Sequence, residues 1–385
     1  MCNGVKPFRH GSIIRITSRT RRQSRNGTMS GLERLNRWLI SIPIWVYTLI
    51  MGVAIIVKSG LSFAPLDASE FQNFPLPPNY WSALSYGMRS LVYGTGQTDS
   101  TTFGIIGLLL VLITIITITF LAKQALDPVA ARLFILFAIV GPIGMVLFNR
   151  IGQNDVFVIL GAVLITFLGM RWFPFLIGLT LMLLGNPEQT VVALSVLLLL
   201  SGIPRLKVWR RRAIAGLLIS LVVFLFLSSL ARSVGAKSRL EYLSDYLSNS
   251  FYAFAANLPL SLYAAFGAFW LIAAWIFVHL NRNERIWLVV GLVLAPLAVT
   301  MITVDQTRVF VGVSVLAVFI LLKTYLADIK QNLDARGISS VIAAALIIVL
   351  FLPVIDIWGS DGHARTPYLW IFSSVVPQIK ILILG

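Results

Sequence analysis

The chain has 385 residues, 58% of them hydrophobic and 12% charged, with a mean hydropathy of +0.87; a soluble domain carries about 25% charged residues, so an ordinary globular protein is excluded. Its apolar runs are hydrophobic on every face, whereas barrel strands alternate, so the expectation is an all-α polytopic transmembrane bundle of about 11–13 spans. The net charge of +16 is gathered in an N-terminal arm and a few short loops, not on one basic face, and no nucleic-acid partner is expected.

Residues 1–37 carry nine Lys/Arg against one acid and many Ser, Asn and Gly, which reads as a basic cytoplasmic arm without fixed structure, with Met29 as an alternative start. The only cysteine, Cys2, lies in this arm, so neither an intrachain disulfide nor a cysteine metal site is expected. Residues 38–385 read as one transmembrane domain. Its first span is expected over 38–57, followed by a long loop, 58–102. There "PLDASEFQNFPLPPNYW" has too many prolines for a continuous helix. The next stretch, "YWSALSYGMRSLVYG", suits an amphipathic helix along the interface.

Spans are then expected over 103–122, 133–149 and 155–170, with "FNRIGQNDVF" interrupting the hydrocarbon between the last two. Two short runs follow, 172–185 and 190–204, separated by "NPEQ". They read either as two helices meeting at a polar point or as one long kinked helix. The remaining runs are 214–231, 259–280, 286–304, 309–327, 339–357 and 369–384. The positive-inside rule selects the two-helix reading. With it, "RLKVWRRR", "NRNER" and "DIKQNLDAR" share a side with the basic N-terminus, which then holds 23 Lys/Arg and 5 acids against 8 and 10 on the other. The expectation is a multi-pass plasma-membrane protein with a cytoplasmic N-terminus and a site facing outward.

The outer ends hold the polar motifs: Asp67 and Glu70 in "LDASEF", Arg150, Gln153, Asn154 and Asp155 in "NRIGQND", Glu188 and Gln189 in "NPEQ", and Asp305 and Arg308 in "DQTR". Ionisable residues at a membrane edge are costly and tend to be functional. Each also has a plainer role. Asp155 or Asn154 suits the N-cap of the helix that follows, "NPEQ" suits a capped turn, and Asp305 and Arg308, three apart, suit a local ion pair.

A carboxylate on the outer side can act as a general base toward a hydroxyl. Arginines at headgroup depth can hold a phosphate bidentately and stabilise it as it leaves. Together they suffice for moving a sugar from a lipid-linked phosphate. In order, an acid-bearing outer loop after the first span, "GQND" at a helix start and a Gly-rich apolar helix pair resemble membrane glycosyltransferases of the C-type fold. Over residues 38–204 the chain is most similar to glycosyltransferase family 87, which includes polyprenol-phosphate-mannose-dependent mannosyltransferases.

The resemblance implies inverting transfer of a single sugar, with mannose the first candidate, from a polyprenyl-phosphate donor to a lipid or glycan acceptor. It implies Asp67 as base, with Glu70 as its rival. Arg150 and Arg308 would take the phosphate, and Gln153, Asn154 and Asp155 the sugar. That family's second polar turn often carries a lysine and a proline, where this chain reads "GNPEQT". No cofactor is expected. A divalent ion on Asp67, Glu70 and Asp155 is the alternative, and the nearest resemblance does not require it. The competing readings are a transporter or flippase for a lipid-linked saccharide, and a polysaccharide polymerase or ligase.

Overall fold

A computed structural model describes residues 30–63, 86–96, 100–233, 239–303, 305–336, 340–358 and 363–365. In chain order the helices are α1 (Gly31–Ser41), α2 (Ile44–Ser59), α3 (Tyr86–Gly94), α4 (Ser100–Ala125), α5 (Pro128–Ile139), α6 (Pro142–Phe148), α7 (Asp155–Leu168), α8 (Trp172–Gly185) and α9 (Pro187–Leu200). A 3-10 turn (Pro204–Trp209) leads to α10 (Arg210–Ser233), α11 (Arg239–Ala256), α12 (Leu258–Phe266), α13 (Phe269–His279) and α14 (Arg282–Leu288). A π-helical segment (Val289–Leu294) joins α14 to α15 (Ala295–Thr300), followed by α16 (Gln306–Ala335) and α17 (Val341–Phe351). Strands β1 (Asp356–Trp358) and β2 (His363–Arg365) form an antiparallel hairpin.

The protein is a helical multi-pass membrane protein. Among the described residues four helices are long and apolar enough to cross a membrane, or up to seven if each of three bent pairs counts as one span. Four more apolar helices, α7, α8, α9 and α17, have 11 to 14 residues; at about 1.5 Å per residue each falls short of a hydrocarbon core of about 30 Å.

The bends correct several expected spans. Helix begins at Gly31, inside the supposed arm, because Ser30 and Glu33 form a capping box. The run 38–57 breaks before Pro43, and α1 turns 116° from α2. Arg132 fixes this corner by donating to the carbonyl oxygens of Leu39, Ile40 and Ile42 at 2.8–2.9 Å. The run 133–149 bends by 57° at Gly141–Pro142, where Pro142 lacks the N–H that would serve the Ala138 carbonyl. The run 259–280 bends by 86° at Gly267, which adopts φ +51. Pro296 likewise has no N–H for Leu292, and the turn before it widens into the π segment. The expected span 339–357 ends at Phe351; Pro353 follows, and the chain becomes β1. The expected span 369–384 lies outside the described residues.

Helix α16 is the central post, buried from Phe310 through Leu322. Helices α4 and α10 lie at the periphery, with Leu109, Ile113, Leu218, Val222 and Phe226 turned outward. Apolar burial gives little net drive inside lipid, so close packing must hold the bundle. The hairpin of α7 and α8 shows how. A Cβ built on Gly161 would come within 2.4 Å of the Gly178 carbonyl oxygen, and one on Gly178 within 2.8 Å of the Gly161 carbonyl oxygen. Only glycines permit that approach.

The loops rich in Lys and Arg gather at one end. Arg205 pairs with Asp328, Lys330 with Asp127 at 3.2 Å, and Arg212 donates to the Met170 carbonyl. Asn36 Oδ1 accepts from the Ile342 and Ala343 N–H groups that open α17, placing α1 at this same end. Gly202 packs on Trp287, which brings "NRNER" alongside. Helices α8 and α9 are thus two separate helices, with Asn186 closing one and opening the next.

Candidate functional site

At the opposite end α7, α9 and α16 all begin, so their orphan N–H groups and positive dipole ends face the same region. The local sequence explains each start. Gly152, at φ +96, turns the chain into α7 with its Cα side pressed on the Phe103 ring, where a Cβ would come within 2.3 Å. Asn186 Oδ1 accepts from Gln189 N–H at 3.0 Å, and Pro187 fills the first helical position of α9. The "NPEQ" turn is therefore capped as its sequence suggests.

The chain after α2 packs beside this turn. Phe63 bridges Ile151, Ser62 Oγ donates to the Asn149 carbonyl at 2.6 Å, and Ile151 N–H donates to the Ser62 carbonyl at 3.1 Å. Helix α3 closes from above, because Met88 N–H donates to Asn154 Oδ1 at 2.9 Å. Neither Asn154 nor Asp155 caps α7 through its side chain. That expectation fails because both side chains have distant partners: Asn154 takes the α3 backbone, and Asp155 takes an arginine 153 residues away.

Five charges alternate in one chain of contacts. Asp155 Oδ2 accepts from Arg308 Nε at 2.6 Å; Arg308 Nη1 reaches Asp305 Oδ2 at 3.3 Å; Asp305 Oδ2 accepts from Arg150 Nη1 at 3.2 Å; and Arg150 Nη2 reaches Asp356 Oδ2 at 3.2 Å. Asp305 and Arg308 do form the local pair their spacing predicts. They are also the middle of a larger array, in which three carboxylates face two guanidiniums. Burial pushes the Asp305 carboxyl above its ordinary range, and the two arginines pull it back only in part.

Asp356 was hidden from sequence reading inside the run 339–357. Pro353, three residues before the start of the polar "DIWGSDGHAR", was the signal for a break. Thr307 secures β1 by accepting from Ile357 N–H at 2.9 Å, and Tyr263 donates to the Pro353 carbonyl at 2.5 Å.

Several amides around the chain of charges keep hydrogen-bonding capacity. Gln189 Oε1, Gln306 Nε2 and Gln153 Oε1 are buried without a partner among the described residues, as is Asp305 Oδ1. Gln189 and Gln306 are 6% and 2% exposed. Gln306 is held through Oε1 by the Ser261 hydroxyl at 2.9 Å, and Gln189 lies against Gly312 of α16. Unsatisfied polar atoms in a buried setting cost about 1–3 kcal/mol each. Glu188 is half-buried next to them.

Arg308 uses Nε and Nη1, leaving Nη2 without a partner among the described residues. Its side chain is 26% exposed, so this edge of the guanidinium can meet a ligand. Of the residues singled out from sequence, the structure joins Arg150, Asp155, Asp305 and Arg308 directly, and brings Gln153, Asn154, Glu188 and Gln189 to the same end. Asp67 and Glu70 lie outside the described residues. No group of three His, Cys, Asp or Glu side chains suited to a metal occurs among the described residues.

No family model matches the chain, and neither a curated protein nor a solved structure does.

Proposed function

We propose that the protein is a membrane glycosyltransferase that moves one sugar, with mannose the first candidate, from a polyprenyl-phosphate donor to a hydroxyl of a lipid or glycan acceptor. The observation that carries this reading is the meeting of three helix N-termini, an ordered array of five charges and three unsatisfied glutamine amides at one membrane-edge end. The array suits positioning. Asp155 holds Arg308 through Nε and Asp305 holds it through Nη1, which leaves the two N–H groups of Nη2 to donate to a phosphate. Gln153, Gln189 and Gln306 supply donors and acceptors of the kind that sugar hydroxyls satisfy.

The base is Asp67, with Glu70 as the alternative; either takes the acceptor proton as the hydroxyl attacks the anomeric carbon and the polyprenyl phosphate departs, inverting the centre. Phe63, four residues before Asp67, pairs with Ile151 beside Arg150. The basic end faces the cytoplasm under the positive-inside rule, so this site opens outward, where a lipid-borne donor is the available one.

The test is transfer of labelled mannose from polyprenyl-phosphate mannose by purified protein. Wild type yields labelled lipid or glycan, and Arg308→Gln and Gln189→Ala each lower the yield at least about tenfold if each removes one charged or buried hydrogen bond to donor. Wild-type turnover that neither variant reduces would contradict the placement of the site.

One observation favours a transporter instead. Bent pairs α5/α6 and α12/α13 meet at their breaks, where a Cβ on Gly267 would lie 3.3 Å from Pro142, and paired discontinuous helices are a transporter device. Movement of a lipid-linked sugar across vesicles by the protein, without any new glycosidic product, would establish that reading.

A further inference from the structure

The basic end carries more positive charge than its own acids balance. Arg205 takes Asp328 and Lys330 takes Asp127. The exposed side chains of Arg171, Lys207, Arg210 and Arg211 make no hydrogen bond or ion pair among the described residues. Between Asp155 and Glu241 the only acid in the sequence is Glu188, and it lies at the opposite end.

These four cations gather where α8 and α10 begin. The two helices touch further in, where a Cβ on Gly216 would lie 3.0 Å from the Phe175 ring. Arg212 ties their starts together: it donates to the Met170 carbonyl and lies over the Trp172 ring, 5.2 Å from its centre. Its Nε is buried without a partner among the described residues. Trp172 and Phe173 turn outward, Phe173 to 74% exposure. Exposed aromatics beside unpaired cations mark the depth of lipid headgroups.

The outward face of α10 supplies an apolar track below them. Arg210, Ile214, Leu218, Val222 and Phe226 follow at intervals of four, so they share one stripe of the helix, and the four apolar members are 41% to 67% exposed. At about 1.5 Å per residue, Ile214 to Phe226 covers roughly 18 Å, a little more than half of a hydrocarbon core of about 30 Å. An acyl chain of one leaflet laid on that stripe brings its phosphate to Arg210. Unpaired cations heading a hydrocarbon stripe complement an acidic phospholipid and favour it over a zwitterionic one.

We propose that the corner between α8 and α10 is a binding site for an acidic phospholipid of the leaflet on the basic side, with its headgroup held by Arg171, Lys207, Arg210 and Arg211 and one acyl chain along the α10 stripe. The site lies at the other end from the charge array and does not depend on the glycosyl-transfer reading.

The test titrates the full chain in neutral detergent with short-chain phosphatidylglycerol, short-chain phosphatidylcholine and inorganic phosphate, and reads affinity by native mass spectrometry alongside the melting temperature. Phosphatidylglycerol binds wild type at least about tenfold more tightly than the other two, since a cation at an anionic lipid surface contributes about fivefold and several act here. Arg210→Gln/Arg211→Gln lowers its affinity to the phosphatidylcholine level and leaves the melting temperature unchanged, because neither side chain has a protein partner to lose. Arg282→Gln/Arg336→Gln removes the same charge from exposed positions elsewhere at this end, and phosphatidylglycerol affinity stays within a few-fold of wild type.

Unchanged affinity in Arg210→Gln/Arg211→Gln overturns the proposal. Equal loss in both double variants also overturns it, leaving general attraction to a basic end. Phosphatidylcholine binding as tightly as phosphatidylglycerol removes the charge selection, and inorganic phosphate binding as tightly removes the lipid part and leaves a site for free phosphate.

Discussion

Asp155→Asn isolates the innermost link of the charge array. The substitution keeps size and an acceptor oxygen but removes the charge that receives Arg308 Nε at 2.6 Å. Asp155 is 5% exposed on its side chain and Arg308 26%. The pair is therefore mostly desolvated on one side only, and the 3–5 kcal/mol typical of breaking a fully buried pair has to be reduced. A charge-assisted hydrogen bond is worth about 1.5–3 kcal/mol, and that is the expected loss of stability for Asp155→Asn. Arg308 would also lose its fixed orientation, since Asp305 already serves Arg150. Thermal and denaturant unfolding of wild type, Asp155→Asn, Arg308→Met and the double variant in one detergent would give the coupling between the two sites. The expected coupling is about 2 kcal/mol. A value under about 0.5 kcal/mol, the level of an ordinary exposed pair, would refute the view that this contact organises the site.

Other consequences are equally direct. Burial raises the Asp305 carboxyl above its ordinary value, so the folded chain holds this proton more tightly than the unfolded one. The stability linked to this group is full below the unfolded-state pKa and declines as pH rises through the raised one; the melting temperature of Asp305→Asn should therefore gain on wild type as pH rises from acidic to neutral, and a constant gap would contradict the shift. Gly161→Ala places a methyl 2.4 Å from the Gly178 carbonyl oxygen and should cost about 1–3 kcal/mol through forced separation of α7 and α8, read as a lowered melting temperature. Arg132→Met leaves the carbonyls of Leu39, Ile40 and Ile42 without their donor. Limited proteolysis should then cut between α1 and α2 faster than in wild type, and an unchanged rate would remove Arg132 as the clamp of that corner.

The membrane class, the turn at "NRIGQND" and the helix start near Asp155 were all legible in the sequence, because apolar run length and polar punctuation are local signals. So was the break of 172–204 into two helices, which the shared cap Asn186 explains. Direction was not legible. Hydropathy along a run is the same whether the helix continues or turns, so the bends before Pro43, at Pro142 and at Gly267 were read as straight spans. Asp356 was lost in the same way, inside a run that Pro353 had already ended. The role of Asp155 escaped local reasoning because a cap is decided by neighbours, whereas its partner Arg308 comes from another helix.

The most direct test of the account is sugar transfer by membranes holding wild type, Asp67→Asn or Glu70→Gln at equal abundance, supplied with a panel of radiolabelled polyprenyl-phosphate sugars. The account predicts labelled product from wild type with one donor, near-complete loss in Asp67→Asn and retained transfer in Glu70→Gln. Equal product from all three would remove the base from this loop, and no product from wild type with any donor would contradict glycosyl transfer itself.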